Sequence, residues 1–454
     1  MWWLDQRLVY DGVYTNVGWY GTLLIIYKLF GFSIFTAKYV RLALQLAGLF
    51  AVASLLRRAM SPAAAIVPLV LIGLSPSLLY FDSVQTSYAM DLSYAAICLW
   101  LIVSINFAAP GWRDFTKAFA GGLIAMVAMM SYPAFAFYVP SLMLVAIWLI
   151  KRSGAQTVSR STVRLFAAEV VGVALPLVAA FVFVRNSQLL VFDPYTKAGL
   201  FRAGGQLGLD PGLFWRAVTT VLHDLFVQGH SYYYEVSKPE FAGWLALAGL
   251  AGMLGTIAYL LASRPASHGI ITALVLLAIS LIVPNLSIEG EPGLRRCTGV
   301  LAAYFALFTI AWRFYVTAPR RTLWMNAGLV LCLLLPLDSA LKVPSLVDDE
   351  GSKSVFRNND WFVAPRGPAD AMDHFVDLVD HGEALSCPMD ADERLVPCRY
   401  QEIYPAVAGY RKWNGLPPID IHARDWKTGH DIVLTPYLWL DRYYPTCTRL
   451  ANCK

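Results

Sequence analysis

Charge is what this sequence has least of. Asp, Glu, Lys and Arg make up 15% of its 454 residues, against roughly 25% in soluble domains. A chain of this length with so few charged side chains is too long and too apolar for a single ordinary soluble domain. Other signals are missing as well. There is no Walker loop, no Gly-x-Gly-x-x-Gly turn and no zinc motif, and the seven histidines show no metal-ligand spacing. The start, MWWLDQR, has no basic region ahead of a short apolar core, so no cleavable signal peptide is expected. There is no internal repeat and no low-complexity tail. The net charge of +5 says little about partners, and no nucleic-acid partner is expected.

What is there is hydrophobic, 57% of all residues, and it comes in long blocks. Segments of about the length needed to cross roughly 30 Å of hydrocarbon are Thr36–Leu56, Ala63–Leu79, Tyr88–Ala109, Phe115–Met130, Ala134–Ile150, Arg164–Val184, Phe241–Leu261, Gly269–Pro284, Cys297–Phe314 and Leu323–Leu341. The expected fold is an all-α polytopic membrane protein with about ten transmembrane helices. Val17–Phe32 is an additional apolar stretch with one charge, Lys28. It either spans or lies in the outer interface with its Trp and Tyr residues at headgroup depth, and the interfacial position is favoured.

Lys and Arg accumulate in every second loop: Arg57 and Arg58, Arg113 and Lys117, Lys151 through Arg164, Arg264, then Arg313, Arg320 and Arg321. Short basic loops stay in the cytoplasm. The acidic or balanced loops, the long loop Arg185–Glu240 and the tail from Lys342 onward are therefore expected outside, on a protein of the cytoplasmic membrane. Glu169, near the cytoplasmic end of its span, is expected to pair with a loop base.

Two domains follow, 1–342 in the membrane and 343–454 as a small extracytoplasmic α+β domain. Trp361, Trp413, Trp426 and Trp439 offer the tail a core. Residues 370–382 have a helical apolar period ending at Gly382, and short strands are expected near Ile419–Ile421 and Ile432–Leu434. Cys387, Cys398, Cys447 and Cys453 all lie in this tail. Four cysteines in a small exported domain suggest two disulfides with three possible connectivities. The short-range pairs Cys387–Cys398 and Cys447–Cys453 are the first choice, and four free thiols in a cytosolic tail the alternative.

The stretch 5–41 carries the functional signal. It holds Asp5 and Asp11, then Gly12 and Tyr14, an apolar helix containing Gly21-Thr22-Leu23, the turn Leu29-Phe30-Gly31-Phe32-Ser33, and a helix running from Ala37 to Arg41. In order and loop side this resembles the start of the C-type glycosyltransferase superfamily, which includes the protein O-mannosyltransferases and the lipid A aminoarabinose transferases. Pro76 and Asp91 match a proline and an acid of that family's third and fourth helices, and Arg295-Arg296 precede a span as its Arg-Tyr does. Three departures stand out: only Met1-Trp2-Trp3-Leu4 precede Asp5 where the family has a helix, Gln6 replaces a second acid, and Thr22 replaces a common proline.

The resemblance implies transfer of a sugar from a polyprenyl-phosphate donor to a glycan, lipid or protein acceptor on the outer face. Asp5 takes the place of the base, with Asp11 as backup, and direct displacement would invert the anomeric carbon. Arg295 and Arg296 are assigned to the donor phosphate, which a guanidinium holds bidentately without losing its charge. The plainer role for them is snorkelling at the interface. Tyr10, Tyr14, Asp82, Tyr232, Tyr233 and Glu235 are candidates for the acceptor or sugar. Tyrosines suit sugar faces and the membrane interface alike. Arg41 and Asp91 are read as a structural pair, because an acid near a membrane boundary is costly unless partnered. No cofactor is indicated. A divalent metal at Asp5 is compatible with this chemistry, but no ligand pattern asks for one. Two other classes remain open: a non-catalytic subunit of this fold, which Gln6 and the missing first helix favour, and a transporter of lipid-linked sugars, which would want interrupted spans in repeat-related halves.

Overall fold

The computed structural model describes residues 17–30, 36–83, 90–132, 135–136, 138–154, 160–186, 211–222, 240–263, 271, 298–318, 322–347, 385–387, 421–424 and 431–434. Among them the chain is almost entirely helical. The helices are α1 (Val17–Phe30), α2 (Thr36–Ala59), α3 (Pro62–Gly73), α4 (Pro76–Ser83), α5 (Met90–Val103), α6 (Trp112–Ser131), α7 (Val139–Arg152), α8 (Arg160–Asn186), α9 (Pro211–Leu222), α10 (Glu240–Ser263), α11 (Thr298–Thr317) and α12 (Leu323–Val347). Among the described residues, five stretches are long and apolar enough to cross a membrane: Tyr39–Ala59, Arg160–Ala179, Trp244–Ser263, Gly299–Thr317 and Leu323–Pro344.

The remaining helices depart from the segments expected from hydropathy. Ala63–Leu79 is not continuous. It breaks at Leu74 and Ser75 into α3 and α4, because Pro76 disfavours helical geometry in the residue before it and suits the first turn of the next helix. The core of Tyr88–Ala109 is the 14-residue α5. At 1.5 Å per residue it covers about 21 Å, short of a full hydrocarbon crossing. Ala134–Ile150 narrows to α7, which starts at Val139 with a proline in its first turn. Gly269–Pro284 lies outside the described residues apart from Ile271. The long loop after α8 contains α9, a helix the apolar pattern does not announce. α1 has 14 residues, again about 21 Å.

Packing runs as a row. α8 lies on α6, α6 on α5, α5 on α2, and α2 on α3, with α11 and α12 against α3 and α10 against α12. α2 and α5 run parallel: Gly48 meets Ser93 at one level, and at the far end Nη1 of Arg58 donates to the carbonyl of Val103 at 2.9 Å. The loop after α5 is tied down at this basic end. Asp114, in the first turn of α6, accepts from the N–H of Gly111 at 3.0 Å and of Asn106 at 3.2 Å, and from Lys117 at 3.0 Å. Desolvation pushes the Asp114 carboxyl up, but these donors together outweigh it and hold it below its ordinary value. Arg152 stacks over Trp148 at 5.1 Å and Arg113 over Trp112 at 5.7 Å, a cation beside an aromatic at the same level, as membrane interfaces favour.

Of the apolar clusters among the described residues, two frame the site, and a third, around Phe107, Ala118 and Leu165, lies at the basic end. The larger joins α3, α10, α11 and α12 around Leu71, Leu301, Phe308, Tyr315 and Cys332. The smaller joins α1, α5 and α6 around Trp19, Tyr94 and Phe135. A hydrogen bond ties α11 to α3. Pro68 lies inside α3 and has no N–H, so the carbonyl of Ala64 loses its helical donor. The indole Nε1 of Trp312 supplies the replacement at 2.7 Å. Trp312→Phe is therefore expected to destabilise the protein by about 1–3 kcal/mol, the penalty of an unsatisfied buried acceptor. Pro68→Ala, which restores the missing donor, should recover most of that loss in the double variant. Thermal unfolding of the single and double variants in detergent checks this.

In the tail, Leu385–Cys387, Ile421–Arg424 and Asp431–Leu434 make a three-stranded sheet in the order β1-β2-β3. β1 pairs parallel to β2, with Leu385 opposite Ile421. β2 pairs antiparallel to β3, with Ile421 opposite Leu434. The expected second and third strands lie within one to three residues of the observed ones, and β1 adds a strand the sequence reading did not place. The expected helix at 370–382 lies outside the described residues.

Candidate functional site

The sequence-derived site divides sharply. Asp5, Tyr10, Asp11, Tyr14, Tyr232, Tyr233, Glu235, Arg295, Arg296, Cys398, Cys447 and Cys453 lie outside the described residues. Asp82 is placed by its backbone in the last turn of α4, and Cys387 closes β1. Arg41 and Asp91 are described in full, and each is about 1% exposed.

Arg41 lies in the second turn of α2 and Asp91 in the first turn of α5. Because these helices run parallel, both acid and base stand at the end of the bundle opposite Arg57 and Arg58. Around them is a polar cluster that the sequence reading did not assemble. Tyr138, the residue before α7, donates its hydroxyl to Oδ2 of Asp91 at 3.1 Å. Tyr94, one turn after Asp91, shares a side-chain hydrogen bond with Ser131 and lies within electrostatic reach of Arg41. Ser131 also donates to the carbonyl of Val127 at 2.7 Å. α1 covers this layer. Its stripe of Trp19, Leu23 and Tyr27 is buried, while Ile25, Leu29 and Phe30 on the other side are exposed. Gly18 lets α1 sit directly on α6: a Cβ there would stand 2.4 Å from the carbonyl oxygen of Val127.

A second ionic group lies at the same end. Trp312 near the close of α11 meets Ala64 at the start of α3, which follows the basic end of α2. The early part of α11 and the late part of α12 are therefore at the opposite end. There Lys342 pairs with Asp338 one turn earlier on α12, with side chains 1% and 6% exposed. Tyr304 of α11 lies within electrostatic reach of Asp338. Leu92 of α5 packs against both apolar clusters.

Asp338 and Lys342 were missed because Lys342 reads as the polar boundary that closes a span at Leu341. The helix instead continues to Val347, since an Asp four residues before a Lys neutralises the charge within the turn. That i, i+4 spacing inside LVLCLLLPLDSALKV is the signal that finds it. Tyr94, Ser131 and Tyr138 carry no comparable signal, because three helices bring them together.

Glu169 overturns its expectation. It lies in the middle of the apolar stretch Arg160–Ala179, is exposed, and has no ion-pair or hydrogen-bond partner among the described residues. Among the described residues, no group of three or more His, Cys, Asp or Glu side chains is placed to hold a metal ion. No protein-family model, curated protein or solved structure matches the chain.

Proposed function

We propose that this chain is a membrane-embedded sugar transferase of the C-type kind. It would move a sugar from a polyprenyl phosphate to a cell-envelope acceptor on the outer face of the cytoplasmic membrane. The observation that carries the reading is the ordered run from Gly21-Thr22-Leu23 through Phe30-Gly31-Phe32-Ser33 to Arg41. It is supported by an Arg41 buried in the layer that α1 covers. The full arrangement has about ten crossings, α1 in the outer interface, and the tail from residue 343 outside as a small α+β domain held by two disulfides.

In the proposed step the acceptor hydroxyl attacks the anomeric carbon and its proton passes to the Asp5 carboxylate. The bond from that carbon to the phosphate oxygen breaks, and polyprenyl phosphate leaves against Arg295 and Arg296. The five tyrosine and glutamate candidates, with Asp82, would orient acceptor and sugar. A positioned carboxylate base contributes ~10²–10⁴-fold. Asp5→Asn is therefore expected to lower transfer of labelled envelope sugar at least about 100-fold while the protein accumulates normally in the membrane. Unchanged transfer removes Asp5 as the base. Unchanged transfer in Arg295→Gln and Arg296→Gln as well ends the enzymatic reading and favours a non-catalytic subunit, toward which Gln6 in the place of a second acid already points.

A further inference from the structure

α7 has a face that changes character along its length. Met143 and Leu144 are exposed, as are Ile147 and Trp148 one turn later and Lys151 and Arg152 one turn after that. This spacing keeps all six on one side of the helix. Toward the basic end that side is aliphatic, then aromatic, then cationic. Arg152 lies over the Trp148 ring at 5.1 Å, which holds the guanidinium at the level of the indole.

The neighbours of α7 set the depth of this face. Leu149 and Ile150, on the other side of its last turns, pack in one apolar cluster with Leu165 and Ala168 of α8 and with Phe115 and Ala118 of α6. Leu165 and Ala168 belong to Arg160–Ala179, a stretch long and apolar enough to cross a membrane. Leu144 and Ile147 are therefore at hydrocarbon depth, and Lys151 and Arg152 stand where headgroups begin.

Three helix ends meet here, and the charge is of one sign. Between Asp114 and Glu169 the sequence has five bases, Lys117, Lys151, Arg152, Arg160 and Arg164, and no acid. Asp114 itself accepts from Lys117 and from the N–H groups of Gly111 and Asn106, so its charge is taken up locally. Lys151, Arg152, Arg160 and Arg164 are all exposed.

A soluble anion would meet the bases and leave the aliphatic part of the face without a role. A molecule that joins an anionic group to apolar chains meets both. Guanidinium groups hold phosphate oxygens by paired hydrogen bonds, aromatic rings suit headgroup depth, and basic groups at a membrane surface attract acidic lipid headgroups. We propose that the α7 face from Leu144 to Arg152, with Arg164 of α8 at the same level, is a binding site for an anionic phospholipid. The phosphate lies against Lys151 and Arg152, and an acyl chain runs along Ile147 and Leu144. Tyr138, just before α7, bonds Asp91 at the opposite end of the bundle, so this site is separate from the transfer chemistry and stands or falls apart from it.

Native mass spectrometry of the full chain, released from an uncharged detergent and titrated with dioleoyl phosphatidylglycerol, tests the site. Wild type should hold this lipid at least about tenfold more tightly than dioleoyl phosphatidylcholine. Each base near an acidic headgroup is worth roughly fivefold. The double variant Lys151→Gln with Arg152→Gln should therefore lose about 25-fold in affinity. Arg313→Gln, at an exposed base of α11 at the same end of the bundle, should change it less than about twofold. Glycerol phosphate, which has the headgroup chemistry without the chains, should not displace the lipid at equal concentration. Should the double variant fail to fold, Arg152→Gln alone is measured and should lose about fivefold. Equal affinity for the two lipids, or an unaltered affinity in the α7 variants, overturns the proposal. An equal loss in Arg313→Gln overturns it too, since the whole basic end would then attract lipid without a site. Displacement by glycerol phosphate overturns it in favour of a soluble phosphate.

Discussion

Replacing Lys342 with Met is expected to destabilise the protein by about 3–5 kcal/mol, the usual penalty for removing one partner of a buried ion pair. Lys342 is 1% exposed and Asp338 6%, so water cannot take over when the ammonium is gone. The carboxylate is left buried without its cation one turn away. The isolated cost is not the value of the pair, however. Desolvating two charges consumes most of what their attraction returns, and well-packed apolar replacements of buried pairs are often neutral or stabilising. The double variant Asp338→Leu with Lys342→Met should therefore recover most of the lost stability. Denaturant unfolding of wild type, Lys342→Met, Asp338→Leu and the double variant in mixed micelles measures this. A double variant as unstable as the sum of its parts would show that the two side chains act separately.

The prediction also bears on how α12 is read. A lysine near the end of an apolar run ordinarily marks the membrane boundary, and ending the span at Leu341 followed from that. The structure carries the helix on to Val347 because the charge is cancelled inside the chain. The same limit appears elsewhere. The apolar blocks were legible because period and length are properties of one segment. The basic loops were legible for the same reason. What could not be read was any pairing across the sequence. Trp312 donates to Ala64 across 248 positions, and only the proline at 68 hints that a carbonyl there needs a partner. Tyr138 reaches Asp91 across 47 positions with no local sign at the tyrosine. Of the proposed site, Arg41 and Asp91 were legible as buried ionic residues because charge within apolar sequence is conspicuous. Their neighbours Tyr94, Ser131 and Tyr138 were not, since tyrosine and serine are unremarkable in a membrane helix until packing closes around them.

Glycine at helix crossings is the other feature that one segment cannot announce, and it leads to a sharp contrast between two adjacent residues. At the crossing of α6 and α8, a Cβ on Gly122 would lie 2.1 Å from the carbonyl oxygen of Glu169, and one on Gly172 would lie 2.1 Å from that of Phe119. Ordinary carbon–oxygen contacts begin near ~3.3 Å. The obstacle in each case is backbone, which cannot swing aside as a side chain would. The two helices must separate by about 1 Å along their contact, and the packing that holds α8 is lost with them. Without a hydrophobic drive between helices in lipid, such close approach is the main source of attraction. Gly122→Ala is therefore expected to destabilise the protein by about 3 kcal/mol, the upper range for overpacking. Gly121, the residue before it, has nothing within 4 Å of the same added atom. Alanine there removes a poor helix former without a clash, so Gly121→Ala should be neutral or stabilising by up to about 1 kcal/mol. Unfolding midpoints of the two variants should move in opposite directions or differ by at least about 2 kcal/mol. Equal effects would mean that α6 and α8 are not in backbone contact, and the wedge that seats Glu169 at the edge of the bundle would go with it.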